Sequence, residues 1–146
     1  MNWYKKAQLE YYHGSYGIFN SSAEMPEGHR GYFATTSPEV AHKFGPNLHK
    51  IILKTNRIFN PLTDEINLDI FAEKLKHLNT LNGKEGIKEG VREGNYGIFE
   101  NWQAMSILKD LGFDGNYQKE DGEPVIRLFN KKNFDIKYIG QKNELV

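Results

Sequence analysis

Near the start of the chain the aromatic pair Tyr11-Tyr12 runs directly into His13-Gly14-Ser15. Aromatic residues favour extended backbone, and glycine removes a side chain at the point where a planar ligand would lie against bare peptide groups. His13 and Ser15 then flank exposed N–H and C=O groups. The plainer alternative is a strand ending in a turn, with Tyr12 in the core and His13 part-buried and hydrogen-bonded. Only a second, independent motif decides between these readings.

Composition removes most other chemistry. The chain has no cysteine, which excludes disulfides, thiolate metal sites and cysteine nucleophiles. Its five histidines, His13, His29, His42, His49 and His77, include no helical i, i+4 pair, so no metal site is expected. Neither a Gly-x-Gly-x-x-Gly after a strand nor a Gly-x-x-x-x-Gly-Lys is present, which leaves out dinucleotide-binding Rossmann and P-loop enzymes. Lys plus Arg and Asp plus Glu each number 19, so no overall field draws the chain to nucleic acid or an anionic membrane.

At 146 residues the chain is expected to be one domain, 1–146. Met1 to Glu10 lacks the apolar run of a signal peptide and nothing later approaches a membrane span, so a soluble, cytoplasmic protein is expected. Asn2 to Gln8 reads as a helical turn or a docked tail. After the Tyr12 strand, Asn20-Ser21-Ser22 caps a helix or opens a loop that continues to Arg30. Gly31 to Thr35 is a short strand. Ser37 then caps a helix from Pro38 to about Phe44, with Val40, Ala41 and Phe44 on one face and Gly45-Pro46 as its stop. Lys50 to Thr55 reads as a mid-sheet strand buried on both faces.

Ile66, Ile70, Phe71, Leu75 and Leu78 recur at helical spacing up to about Leu81. Gly83 to Gly94, in which Gly86, Gly90 and Gly94 each close a basic-acidic-glycine triplet, reads as a solvated connector, since each helical Gly costs about 1 kcal/mol relative to Ala. Ile98 to Leu111 is expected as one amphipathic helix with Trp102, Met105, Ile107, Leu108 and Leu111 inward and Gly112 as its cap. Phe113 to Tyr117 and Val125 to Phe129 form a hairpin around a long charged turn, and Phe134 to Ile139 is the last strand before a polar tail. The class is α+β.

The second motif is present. His13-Gly14-Ser15, then Gly31-Tyr32-Phe33-Ala34, then the Ser-Pro-Glu-Val-Ala helix form an ordered set. It resembles the ADP-ribosyltransferase superfamily of the diphtheria-toxin and poly(ADP-ribose) polymerase type, particularly small versions found in toxins and mobile elements. Leu111-Gly112-Phe113-Asp114-Gly115 and the strand ending Leu128-Phe129-Asn130 are similar to the C-terminal part of that domain. The likeness therefore spans about Tyr11 to Ile139.

The resemblance implies an ADP-ribosyltransferase-like split β-sandwich of two mostly antiparallel sheets with peripheral helices. It implies NAD as co-substrate, without a metal, and mono-ADP-ribosyl transfer with cleavage of the nicotinamide glycosidic bond. Tyr32 would stack on the pyridinium ring, whose charge favours an aromatic face by about 0.5–2 kcal/mol. Gly14 would present its backbone to the carboxamide, His13 would bond the adenosine-side ribose, and Ser15 would assist. Phe44 would be the second aromatic wall and Arg30 a pyrophosphate contact. In strict register the amide-binding serine falls at Val40, which leaves Ser37 as a displaced substitute. Counting back from Phe129 reaches Val125, so the catalytic carboxylate is placed at Glu123 in the hairpin tip, ahead of Glu120. The acceptor is expected to be a protein, with nucleic acid disfavoured and no membrane partner. The alternatives on the same fold are a non-enzymatic NAD or ADP-ribose binding module and an RNA 2'-phosphotransferase.

Overall fold

The computed structural model describes residues 10–78, 83–120 and 122–141. The segment Asn2 to Gln8, the Met1 to Glu10 stretch up to residue 9, the expected helix end at Leu81, Asp121 and the polar tail beyond Gln141 lie outside the described residues.

Strands β1 (Tyr11–Ser15), β2 (Tyr32–Thr35), β3 (Asn47–Leu53), β4 (Ile58–Phe59), β5 (Gly115–Glu120), β6 (Glu123–Leu128) and β7 (Phe134–Gln141) form one seven-stranded sheet in the order β4-β5-β6-β2-β1-β3-β7. The β4–β5 pair is parallel and the others are antiparallel. The expected α+β class is observed, but hydrogen bonding joins the strands into a single mixed sheet in place of two. The join is slight. β1 and β2 share one register pair, Tyr12 with Thr35, whereas β1 runs beside β3 from Tyr11–Ile51 to Ser15–Asn47.

The core divides into two apolar clusters, the second of which spans this seam. The first gathers Phe59, Leu68, Phe71, Leu75, Ile87, Phe99 and Leu108 from β4 and the helices. Its aromatic heart has the Phe59 ring centroid 5.3 to 6.2 Å from those of Phe71, Phe99 and Phe113, and each ring so buried contributes about 1.5–3 kcal/mol. The second gathers Tyr11, Tyr32, Ile51, Ile126, Leu128, Phe134 and Ile136 from the strands and Met25 from the loop before β2.

Several expectations change for identifiable reasons. Helix α1 (Pro38–Ala41) gives way to a 3₁₀ turn over His42–Phe44. Ile52 is exposed, so β3 is not buried on both faces. In α2 (Glu65–Leu78) the inward stripe is Leu68, Phe71, Ala72 and Leu75, while Ile66 and Ile70 face solvent.

The segment read as a connector is the helix α3 (Gly83–Glu93), with Ile87 and Val91 buried. Its charges form a ladder to α2: Lys84 Nζ lies 3.0 Å from Asp69, Lys88 Nζ 3.1 Å from Glu65, and Arg92 pairs with Glu65. One of its glycines has a packing role, since a β-carbon on Gly90 would sit 2.7 Å from Ile98 Cδ1. Packing and ion pairs thus outweigh the glycine cost.

The helix expected over Ile98 to Leu111 is two helices, α4 (Tyr96–Glu100) and α5 (Trp102–Asp110). Asn101 leaves helical backbone at ψ 130° and caps α5, its Oδ1 accepting from Gln103 N–H at 2.9 Å. The break turns Trp102 outward, to 73% exposure. The hairpin is also tighter than expected. Glu120 pairs with Glu123, and Gly122 supplies the positive φ of 78° that tight hairpin turns need.

Candidate functional site

A cleft of about 420 Å³ opens at the seam, within the size range of small-ligand pockets. Tyr12, His13, Gly14 and Ser15 line it from β1, Tyr32 to Thr35 from β2, and Val40, Ala41 and Phe44 from the helical turn, while Glu100 and Glu120 close other sides. The two motifs therefore meet in one cavity, although 18 residues separate Gly14 from Tyr32 by number.

His13 marks where the strand ladder lapses. Its Nδ1 lies 2.7 Å from the Phe33 carbonyl oxygen, which can only accept, so Nδ1 carries the proton and Nε2 keeps a lone pair. Burial lowers the His13 pKa, against the opposing pull of the Phe33 bond, and the ring is held neutral. Behind it sits fully buried His49. The His49 Nε2 accepts from Phe19 N–H at 2.9 Å, which directs its Nδ1–H to the His13 carbonyl at 3.2 Å. Burial lowers its pKa as well, and the His13 carbonyl bond works in the opposite direction.

Both native pKa values therefore fall below the ordinary imidazole value of 6.5. Above that value the stability these rings contribute is fully present. As pH falls through it, the unfolded chain takes up protons that the native rings refuse, and stability drops by at most about 1.4 kcal/mol per pH unit per histidine. Urea melts between pH 7 and pH 5 should show this loss. His49→Gln should flatten it, because an amide in that position does not titrate.

The glycine and tyrosine serve purposes the motifs alone do not reveal. A β-carbon on Gly14 would lie 1.7 Å from the Ala41 carbonyl oxygen, so the missing side chain makes room for the helical turn as well as baring backbone to the cleft. Gly45, at φ 154°, fits as closely, its notional β-carbon 2.2 Å from the Ser15 carbonyl carbon. Tyr32 is 8% exposed and packs in the second cluster, its ring 5.4 Å from that of Phe134. The Tyr32 hydroxyl accepts from Gly28 N–H at 2.9 Å and donates to the Pro26 carbonyl at 3.2 Å, fastening the loop over the cleft.

The remaining expected residues divide. Ser15 lines the cleft while its Oγ accepts from Gly17 N–H at 3.1 Å, and Phe44 stands at the rim with 64% of its surface exposed. Ser37 does not line the cleft, because its Oγ caps α1 by accepting from Val40 N–H at 3.2 Å. Arg30 lines a neighbouring pocket instead. Glu123 is also off the wall, its Oε2 accepting from the Thr36 hydroxyl at 3.4 Å, whereas its partner across the hairpin, Glu120, lines the cleft.

Sequence reasoning missed Phe19, Met25, Thr35 and Glu100 as cleft residues, and His49 as the support of His13. The meeting of His13 and His49 gave no signal because it depends on β1 pairing with β3, and Glu100 reaches the cleft from the end of α4, far along the chain from β1 and β2.

No family model matches the chain, and no curated protein matches it significantly. Among solved structures, the fold is similar to that of a crystallised anti-CRISPR protein, with a TM-score of 0.59 and 17% sequence identity over 90% of this chain and 95% of that one. That likeness establishes a shared fold. Among the described residues no helix is long and apolar enough to cross a membrane.

Proposed function

We propose that the cleft binds NAD by its nicotinamide half and that the protein is a mono-ADP-ribosyltransferase acting on a protein acceptor. The observation that carries this reading is the meeting of His13 and Tyr32 in one cavity, at a seam where their strands share a single register pair. A neutral His13 with Nε2 as acceptor suits a ribose hydroxyl, which donates. The Gly14 backbone lines the same wall and suits a carboxamide, while exposed Phe44 offers a face to the pyridinium. Held so, the C1'–N bond breaks with its electron pair leaving on nicotinamide, and the ribosyl cation formed is taken by an acceptor nucleophile that gives up its proton. In this reading the strands on either side of the seam, β4-β5-β6-β2 and β1-β3-β7, stand for the two sheets of the transferase fold.

The developing positive charge needs a carboxylate nearby. Glu120 is the better placed because it lines the cleft, with Glu123 directly opposite it in the hairpin register. Glu120→Gln should lower nicotinamide release at saturating NAD by about 10²–10³, and Glu123→Gln by less. Release unchanged in both variants would remove the hairpin tip from catalysis. With labelled NAD the products should be single additions rather than ladders.

A second reading is favoured by the likeness to an anti-CRISPR protein over 90% of this chain: inhibition of a CRISPR effector by binding alone. Plaque assays on a CRISPR-immune host separate the two. Protection retained by a His13→Ala, Glu120→Gln variant that releases no nicotinamide supports binding alone.

A further inference from the structure

Beside the cleft lies a second, more open pocket of about 480 Å³ whose wall includes His29, Arg30, Glu100, Trp102, Gln103 and Arg127. Arg127 is 1% exposed, yet its hydrogen bonds go to the uncharged Arg30 and Phe99 carbonyls and the Met105 sulfur, and its guanidinium sits 5.8 Å from the Phe33 and Phe129 ring centroids. Among the described residues neither Arg127 nor Arg30 has a carboxylate within ion-pair distance. Among the described residues Glu100 is the pocket's one acidic side chain, and it acts on Arg127 only at longer range. A buried cation without a counter-charge is costly, and the pocket thus carries a net positive charge and a fully presented indole.

We propose that this pocket docks an acidic peptide segment of the acceptor protein, a carboxylate facing Arg30 and Arg127 and the adjoining chain lying on Trp102. The proposal rests on the transferase reading of the cleft, because Glu100 lines both cavities and a segment held in the second meets the first across that side chain. Charge complementarity selects the peptide. A nucleic acid would need a track of cations, whereas the chain balances 19 basic with 19 acidic residues and gathers only Arg30 and Arg127 among the described lining residues here.

The test is calorimetric titration of the full chain at low ionic strength with a capped poly-glutamate peptide, a poly-lysine peptide of equal length and a single-stranded oligodeoxynucleotide. Poly-glutamate alone should bind, and Trp102→Ala and Gln103→Glu should each weaken it about tenfold. Both variants should fold, since Trp102 is exposed and an acidic residue in the first turn of α5 suits the helix dipole. No acidic-peptide binding, wild-type affinity in both variants, tighter binding of the oligonucleotide, or displacement of the peptide by NAD would each overturn the proposal, the last because the pocket would then take the pyrophosphate. Nicotinamide release measured on the same variants should match wild type; joint loss of release and peptide binding would place these residues in the NAD site and equally overturn it. If the wild-type chain releases no nicotinamide, the transferase reading of the cleft fails, while the titration still decides whether the pocket takes an acidic segment.

Discussion

Gly14→Ala should lower the stability of the protein by about 3 kcal/mol, at the upper end of what overpacking costs. The added methyl would have to share space with the Ala41 carbonyl oxygen, 1.7 Å from its ideal position, and with backbone on Gly45 at 3.3 Å. Backbone on both sides cannot rotate away as a side chain would. Relief therefore requires the turn over Pro38–Phe44 to lift from β1, which also displaces Val40, Ala41 and Phe44 from the cleft wall. Thermal melts should show a fall of roughly 10 °C for a domain of this size. A variant with wild-type stability that had lost only NAD affinity would mean that the glycine serves the ligand and not the helix.

Tyr32→Ala should cost about 3–5 kcal/mol, the usual penalty for deleting a buried aromatic ring. The ring is 8% exposed and abuts Phe134, and its removal also frees the loop anchored through Pro26 and Gly28. Tyr32→Phe separates the two contributions. It should keep the core, lose about 1 kcal/mol with the two hydroxyl bonds, and weaken NAD binding by loosening the loop. Urea denaturation and NAD titration on both variants provide the check; a fully stable Tyr32→Ala would contradict the core placement.

These two residues show how far the sequence can be read. His13-Gly14-Ser15 and Tyr32 stand out in the sequence because their residue types and order resemble one known arrangement, and the fold does bring them to one cavity. What each contributes was not legible. Gly14 packs against Ala41, 27 positions on in the sequence, and the Tyr32 hydroxyl bonds Gly28 through a turn of the loop before β2, and neither contact is visible before the chain has folded back on itself. The same limit explains α3, where glycines and alternating charges signal a solvated loop until α2 supplies Glu65 and Asp69 as partners. It explains Trp102 too. Periodicity places it inward, but the Asn101 cap starts a new helix and resets which face is buried. Ser37 and Glu123 illustrate a further case, in which a residue of the right type near the right register is already engaged, one as a helix cap and one with Thr36.

The most direct test of the account is nicotinamide release from NAD by the purified chain, followed chromatographically for the wild type and for His13→Ala. The wild type should release nicotinamide catalytically. His13→Ala should lower that release by at least about tenfold, since it removes a hydrogen bond made to the bound donor, with its stability monitored by melting because the ring also holds the Phe33 carbonyl. Release by neither protein at saturating NAD, together with no heat of NAD binding to the wild type, would contradict the assignment of the cleft.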